Sequence, residues 1–294
     1  MTTITTPPPV APPPQLTPGG RTAFRLFLIA AAALVVVATL AGLGVAAWGV
    51  SALRVVTDHQ ALPATMRTLV IDTAQVPVAI RITADRETRE AKADLRLVNT
   101  TRSGEHRLAV STTGGEARIS ISGNPSPMLE WARGGEIVIS LPPEQARRLT
   151  VRTEQEIGAV FAQADVDQLI ARTTDGAIIL SGAARRIEAH TVNGEIVSRD
   201  PIAVTEEFSA TTSDADITVD FRDAAPRTVN AISRDGTVVI GLPEPGPYLV
   251  RAQSGSSTRV RVPETTNPDN AVGEITARSD NGEVVVEEVG LDRG

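Results

Sequence analysis

The chain has 294 residues, a net charge of −7, three histidines and no cysteine, which excludes disulfides, thiolate nucleophiles and zinc–sulfur sites. Aromatic residues make up only 3%, too little ring surface for a core built on Phe, Tyr and Trp. All 35 acidic residues lie beyond residue 54, and Arg21, Arg25 and Arg54 are the sole basic residues before residue 55. The remainder is therefore strongly acidic, which argues against nucleic acid or anionic lipid headgroups as its partners.

Residues 1–20 are uncharged and rich in proline (Pro7, Pro8, Pro9, Pro12, Pro13, Pro14, Pro18). Proline fixes φ and donates no N–H, so this tail is expected to be disordered and extended. From Leu26 to Val50 run 25 residues without a charge. At ~1.5 Å per helical residue they span ~37 Å, enough for a hydrocarbon core of ~30 Å. Phe24, Phe27 and Trp48 stand where aromatic rings favour the interface. Arg21 and Arg25 flank the N-terminal side, and the positive-inside rule places the tail in the cytoplasm and the rest outside. A cleaved signal peptide has a shorter apolar core, ~7–15 residues. Residues 21–54 are therefore read as an uncleaved, single-pass signal anchor in the cell membrane, and 55–64 as a linker.

Residues 65–145 carry alternating runs such as Val78-Ala-Ile-Arg-Ile82 and Glu136-Ile-Val-Ile-Ser-Leu141, broken by Gly114-Gly115 and Gly134-Gly135. Period-two alternation between glycine clusters predicts strands. This stretch is read as an irregular cap and first coils of the body that follows. A separate small β-sandwich is the other reading.

Residues 146–290 contain a repeat, ahead of a short tail at 291–294. Eight-residue segments begin at Leu169, Ile187, Phe208, Val229, Val250 and Ile275, for example Leu169-Ile-Ala-Arg-Thr-Thr-Asp-Gly176 and Ile275-Thr-Ala-Arg-Ser-Asp-Asn-Gly282. A degraded copy is placed at Leu149-Thr-Val-Arg-Thr153. Position three is always alanine: Ala171, Ala189, Ala210, Ala231, Ala252 and Ala277. Position five is always a hydroxyl: Thr173, Thr191, Thr212, Ser233, Ser254 and Ser279. Positions seven and eight give corners at Asp175-Gly176, Asn193-Gly194, Asp235-Gly236 and Asn281-Gly282. Asx side chains bond their own backbone and glycine tolerates φ > 0, so these pairs turn the chain. A string of hairpins gives no reason for alanine to recur at one position. A solenoid does, because that position stacks on itself every ~4.8 Å in a narrow interior. The hydroxyls then form a ladder that bonds either itself or the turn backbone. The expected fold is all-β: a right-handed parallel β-solenoid ectodomain with an irregular β-rich N-terminal portion, preceded by one transmembrane α-helix.

An anchor, an irregular β lead-in and repeats of the form apolar-x-Ala-x-Thr-x-Asp/Asn-Gly resemble the bacterial putative-adhesin domain family, also called toastrack, and its actinobacterial membrane-anchored members. That resemblance implies a β-solenoid on the outer face of the membrane, associated with adhesion or envelope-stress sensing, with no catalytic residues to carry over. The sequence departs from the pattern at Ala215 and Ser256-Ser257, where the Asx-Gly corner is lost.

No catalytic, cofactor or metal site is expected. His59, His106 and His190 have no metal-ligand spacing. Asp175, Asp214, Asp216 and Asp235 are explained by turn chemistry rather than calcium. Trp131 is the one aromatic candidate for a sugar platform, and Pro263–Asn270 is read as a polar surface loop. The expected function is a non-enzymatic interaction module, a putative adhesin or envelope-stress scaffold whose partner is an envelope protein or wall polymer. The alternative is a β-helix that binds or hydrolyses cell-wall polysaccharide.

Overall fold

The computed structural model describes residues 39, 53–100, 107–122 and 134–289. The Pro-rich tail, the apolar run 26–50 apart from Thr39, His106 and Trp131 lie outside them. Among the described residues no helix is long and apolar enough to cross a membrane. The chain divides into two compact units, Met1–Leu53 and Arg54–Gly294, and the β structure belongs almost wholly to the second.

The first strands are β1 (Leu53–Ala61), β2 (Thr68–Ala74), β3 (Val78–Ala84), β4 (Lys92–Thr100), β5 (Arg107–Thr113), β6 (Glu116–Ser122) and β7 (Gly134–Leu141), followed by the short helix α1 (Pro143–Ala146). Strand β1 occupies most of what the sequence reads as a linker. Strands then alternate in pairs, one per sheet: β8 (Thr150–Ile157) with β9 (Val160–Ala162), β10 (Val166–Asp175) with β11 (Ile178–Leu180), and β12 (Ala183–His190) with β13 (Ile196–Ser198). The pairs continue as β14 (Ala203–Thr212) with β15 (Ile217–Asp220), β16 (Thr228–Ser233) with β17 (Val238–Leu242), β18 (Leu249–Ser254) with β19 (Thr258–Arg261), and β20 (Glu274–Ser279) with β21 (Val284–Glu288).

Ten strands form one sheet in the order β18-β20-β16-β14-β12-β10-β8-β2-β6-β5 and eleven form the other, β1-β4-β7-β3-β9-β11-β13-β15-β17-β21-β19. Pairing is parallel throughout the repeats, and β2 and β3 join it by stacking on β8 and β9. Antiparallel pairs occur at β4–β7 and β5–β6. Residues 65–145 thus continue both sheets.

The register keeps like on like: Ala171↔Ala189↔Ala210↔Ala231↔Ala277↔Ala252. The other sheet stacks Val160↔Ile178↔Ile196↔Ile217↔Val238↔Val284, all 0% exposed. β-Branched side chains suit the pleated surface, and each one fully buried contributes about 1.5–3 kcal/mol before entropy is counted. The two sets of columns meet in one continuous apolar cluster. Phe208, the large member of column one, packs edge-on against Phe221 with ring centroids 5.2 Å apart.

Two features differ from the sequence reading. Leu169 pairs with Val151, not Leu149, so the degraded copy starts two residues later. Thr153 then holds the alanine position, Gln155 the hydroxyl position and Gly158 the corner. The second difference is stacking order. The last coil, β20–β21, lies between β16–β17 and β18–β19 instead of beyond them. Ala252 and Ser254 therefore sit on an edge strand and are half-buried, while the other ten interior positions of the columns are buried.

Candidate functional site

The corner where the chain leaves the ten-stranded sheet shows why a hydroxyl recurs at position five. Five of the six bond the carbonyl at position eight of the neighbouring coil, all but Thr173: Thr191 to Gly176 at 3.1 Å, Thr212 to Gly194 at 3.1 Å, Ser233 to Ala215 at 2.9 Å, Ser279 to Gly236 at 2.6 Å and Ser254 to Gly282 at 2.7 Å. The ladder therefore ties side chain to corner backbone across coils, not hydroxyl to hydroxyl. Ser233 and Ser279 also accept from the N–H of Gly236 and Gly282 of their own turns.

The Asx side chains at position seven line the outside of the same corner. Asn193 donates to Asp175 at 2.7 Å, and Asn281 donates to Asp235. Where two aspartates fall side by side, Arg234 stands between them, 2.5 Å from Asp214 and 2.8 Å from Asp235. Bonds from Arg234 and Asn281 hold the Asp235 carboxyl below its usual range. These partners occupy the carboxylates that a cation would need. Among the described residues no group of three or more His, Asp or Glu is placed to hold a metal ion.

Beside this corner, on the outer face, lies a groove of about 420 Å³ over β2, β8, β10 and β12. Register aligns Asp72, Glu154, Arg172 and His190 in one outward row. Glu156, Thr174 and Val192 line its other side. A shift in the β2–β8 register between Asp72 and Ala74, with Ala74 at φ 47°, opens the row at one end. Asp72 is met by Arg118 at 3.5 Å and Arg172 by Glu188 at 2.5 Å. Glu156 and His190 are exposed and Glu154 half-buried.

Beneath the groove the interior is polar where the repeat begins. Thr73, Thr153, Gln155 and Thr173 are buried, and their side-chain polar atoms find no partner within the protein. Buried polar groups are ordinarily satisfied, so this coil departs from the well-bonded corners above it. The sequence signal was available: aligning from Val151 puts Thr and Gln at columns otherwise held by Ala and Ser/Thr. Reading the copy from Leu149 hid it.

Adjacent glutamates do not behave as bare alternation implies. A register shift in β12–β14 leaves Glu206 and Glu207 both half-buried. Arg185 bonds Asp167 at 2.9 Å and Glu206 at 2.7 Å, and Arg186 reaches Glu207 at 3.1 Å. The Arg185 bond holds the Asp167 carboxyl down. Glu287 is buried, whereas Glu288 is raised by desolvation and then by the like charge and bond of Glu244. A carboxyl whose folded pKa is raised binds its proton more readily in the folded state. Its contribution is thus present at acid pH and lost as pH rises through the folded pKa. Glu288→Gln is expected to raise the melting temperature at pH 7 and to leave it unchanged near pH 4, read by thermal melts at both.

No protein-family model matches the chain, and no curated protein does. Solved structures are similar to it at low identity, each covering 80% of this chain. They include a putative cell adhesion protein from Clostridium sporogenes ATCC 15579, at 10% identity over 100% of that chain with a TM-score of 0.34. A putative adhesin from Bacteroides fragilis NCTC 9343 is similar at 13% identity over 97% of that chain, TM-score 0.43. A putative adhesin from Parabacteroides merdae ATCC 43184 is similar at 9% identity over 96% of that chain, TM-score 0.43.

Proposed function

We propose that this is a single-pass membrane protein whose β-solenoid stands outside the cytoplasm as a non-enzymatic interaction module, in adhesion or envelope-stress sensing. The groove over β2, β8, β10 and β12 is its contact site. The observation that carries this reading is the groove itself. Its volume of about 420 Å³ is within the range that seats a ligand or an anchoring side chain. Its walls bring Glu154, Glu156 and His190 to the surface beside Asp72 and Arg172, which are held in ion pairs.

One observation favours polysaccharide binding or hydrolysis instead. Glu154 and Glu156 stand two residues apart on β8, so they share the outward face at roughly 7 Å along the strand. Acid pairs of glycoside hydrolases lie ~5–9.5 Å apart.

A membrane-impermeant crosslinker applied to intact cells tests location and partner together. The expected result is capture of an envelope protein by the wild type and loss of that capture in Glu154→Lys/Glu156→Lys. Absence of labelling on intact cells overturns the topology. Capture of glycan alone, with glycan cleavage lost in Glu154→Gln, establishes the second reading.

A further inference from the structure

The chain visits its last three coils in one order and stacks them in another. Strand β20 pairs with β16 through Val229↔Ile275, Ala231↔Ala277 and Ser233↔Ser279. Its other edge pairs with β18 through Val250↔Ile275, Ala252↔Ala277 and Ser254↔Ser279. The columns are the same on both sides. Strand β18 therefore offers β16 the same apolar, alanine and hydroxyl positions that β20 does. Stacking the coils sequentially would make as many ladders as stacking them as observed. The ion pairs Arg251–Glu274 at 3.4 Å and Arg259–Glu283 at 3.6 Å join the two last coils to each other, so they survive in either order.

Two features bias the choice. The first is the corner. A Cβ at Gly282 would lie 2.2 Å from the Gly236 carbonyl oxygen, so the coil resting on β16–β17 is best served by glycine there. The β20–β21 coil has Gly282, whereas the β18–β19 corner is one residue shorter: Ser254 pairs with Ser279 but Thr258 with Val284, so Ser257 stands opposite Glu283 and no residue takes the place of Gly282. Asn281 adds its bond to Asp235. The second is a latch between the two connecting segments. Tyr248, the one tyrosine of the chain, is 1% exposed and donates its hydroxyl to the Pro243 carbonyl. Its backbone N–H donates to Pro263 at 2.8 Å and its carbonyl accepts from Thr265 at 2.9 Å. Val272 closes the loop by donating to Pro247 at 2.9 Å.

Exchange would change what the end of the stack presents. The observed terminal coil carries Arg251, Arg259 and Arg261 on the edge strands β18 and β19. The β20–β21 coil carries Glu274 and Glu283, the ion-pair partners of Arg251 and Arg259, with Glu288 half-buried and Glu287 buried. We propose that the two C-terminal coils are exchangeable, so that the edge strands at the end of the solenoid are β18 and β19 in the observed order and β20 and β21 in the sequential one. Two packings of one sequence can differ by only a few kcal/mol, and here a shortened corner and a tyrosine latch set the balance.

The absence of native cysteine makes the order directly readable in the full-length membrane protein. Stacked neighbours at ~4.8 Å accept a disulfide and residues two strands apart, ~9.6 Å, do not. The pair Ala252→Cys/Ala277→Cys closes in both orders and reports that the coils are folded. Ala231→Cys/Ala277→Cys closes in the observed order alone, and Ala231→Cys/Ala252→Cys in the sequential order alone. The expected result, read by mass after oxidation and thiol alkylation, is a minor crosslinked fraction for the last pair. That fraction should rise several-fold when Tyr248→Phe is added. The proposal is overturned if Ala231→Cys/Ala252→Cys never closes in that background while Ala252→Cys/Ala277→Cys does.

Discussion

Ala231→Leu is expected to lower the stability of the β body by about 3 kcal/mol, at the upper end of what overpacking a filled core costs. Ala231 is 0% exposed and stacks between Ala210 and Ala277. Its methyl group has an alanine in register on each side along the column, and Val229 and Ser233 beside it on the inward face. An isobutyl group at this place has no solvent to enter. It must displace the neighbouring coils or force its own rotamer. For a unit of this size about 3 kcal/mol is a fall of roughly 6–12 °C in Tm, measured on the detergent-solubilised chain. Ala252→Leu makes the comparison informative. That alanine sits on the edge strand and is half-buried, so the same change there is expected to cost less than half as much. Equal losses at the two positions would mean that the column is not a closed interior.

Gly176→Ala is the second large effect, and it acts through the backbone. A Cβ at Gly176 would fall 1.7 Å from the carbonyl oxygen of Gly158 and 2.7 Å from its carbonyl carbon. No rotamer relieves a clash between Cβ and main chain, so one corner must move against the other. Movement stretches the hydroxyl bond that Thr191 makes to the Gly176 carbonyl at 3.1 Å. The expected loss is about 1–3 kcal/mol, visible as a lower denaturation midpoint with an unchanged slope. Ala215 occupies the equivalent position two corners along and its carbonyl still accepts from Ser233 at 2.9 Å. A methyl is therefore survivable at a corner, and the variant is expected to fold. Thr191→Val removes the same inter-coil bond without the clash and should cost less, about 1 kcal/mol.

The repeat was legible because a solenoid subjects every coil to the same local constraint. Ala171, Ala189, Ala210, Ala231 and Ala277 recur because each meets the same neighbours one strand spacing away, and the sequence records that as a column. The hydroxyl column was legible as a ladder, but its partner was not. Whether Thr191 bonds Thr173 or the Gly176 carbonyl depends on how close adjacent corners come, a distance between coils that no single coil encodes. The groove was hidden for a related reason. Asp72, Glu154, Arg172 and His190 come from four strands, and nothing links Asp72 to Glu154 in the chain except the register of β2 on β8.

Sequence by itself determined the all-β character, the period of the coils, the alanine interior and the glycine corners, since each follows from what one strand or one turn can tolerate. Only the tertiary structure decided the order of stacking. Val250-Arg-Ala-Gln-Ser254 and Ile275-Thr-Ala-Arg-Ser279 satisfy the same columns, so periodicity cannot say which of them rests on β16. The choice falls to the corner after β18, one residue shorter than the corner after β20, and to a buried tyrosine that holds two connecting segments together. Each acts only once the coils have met.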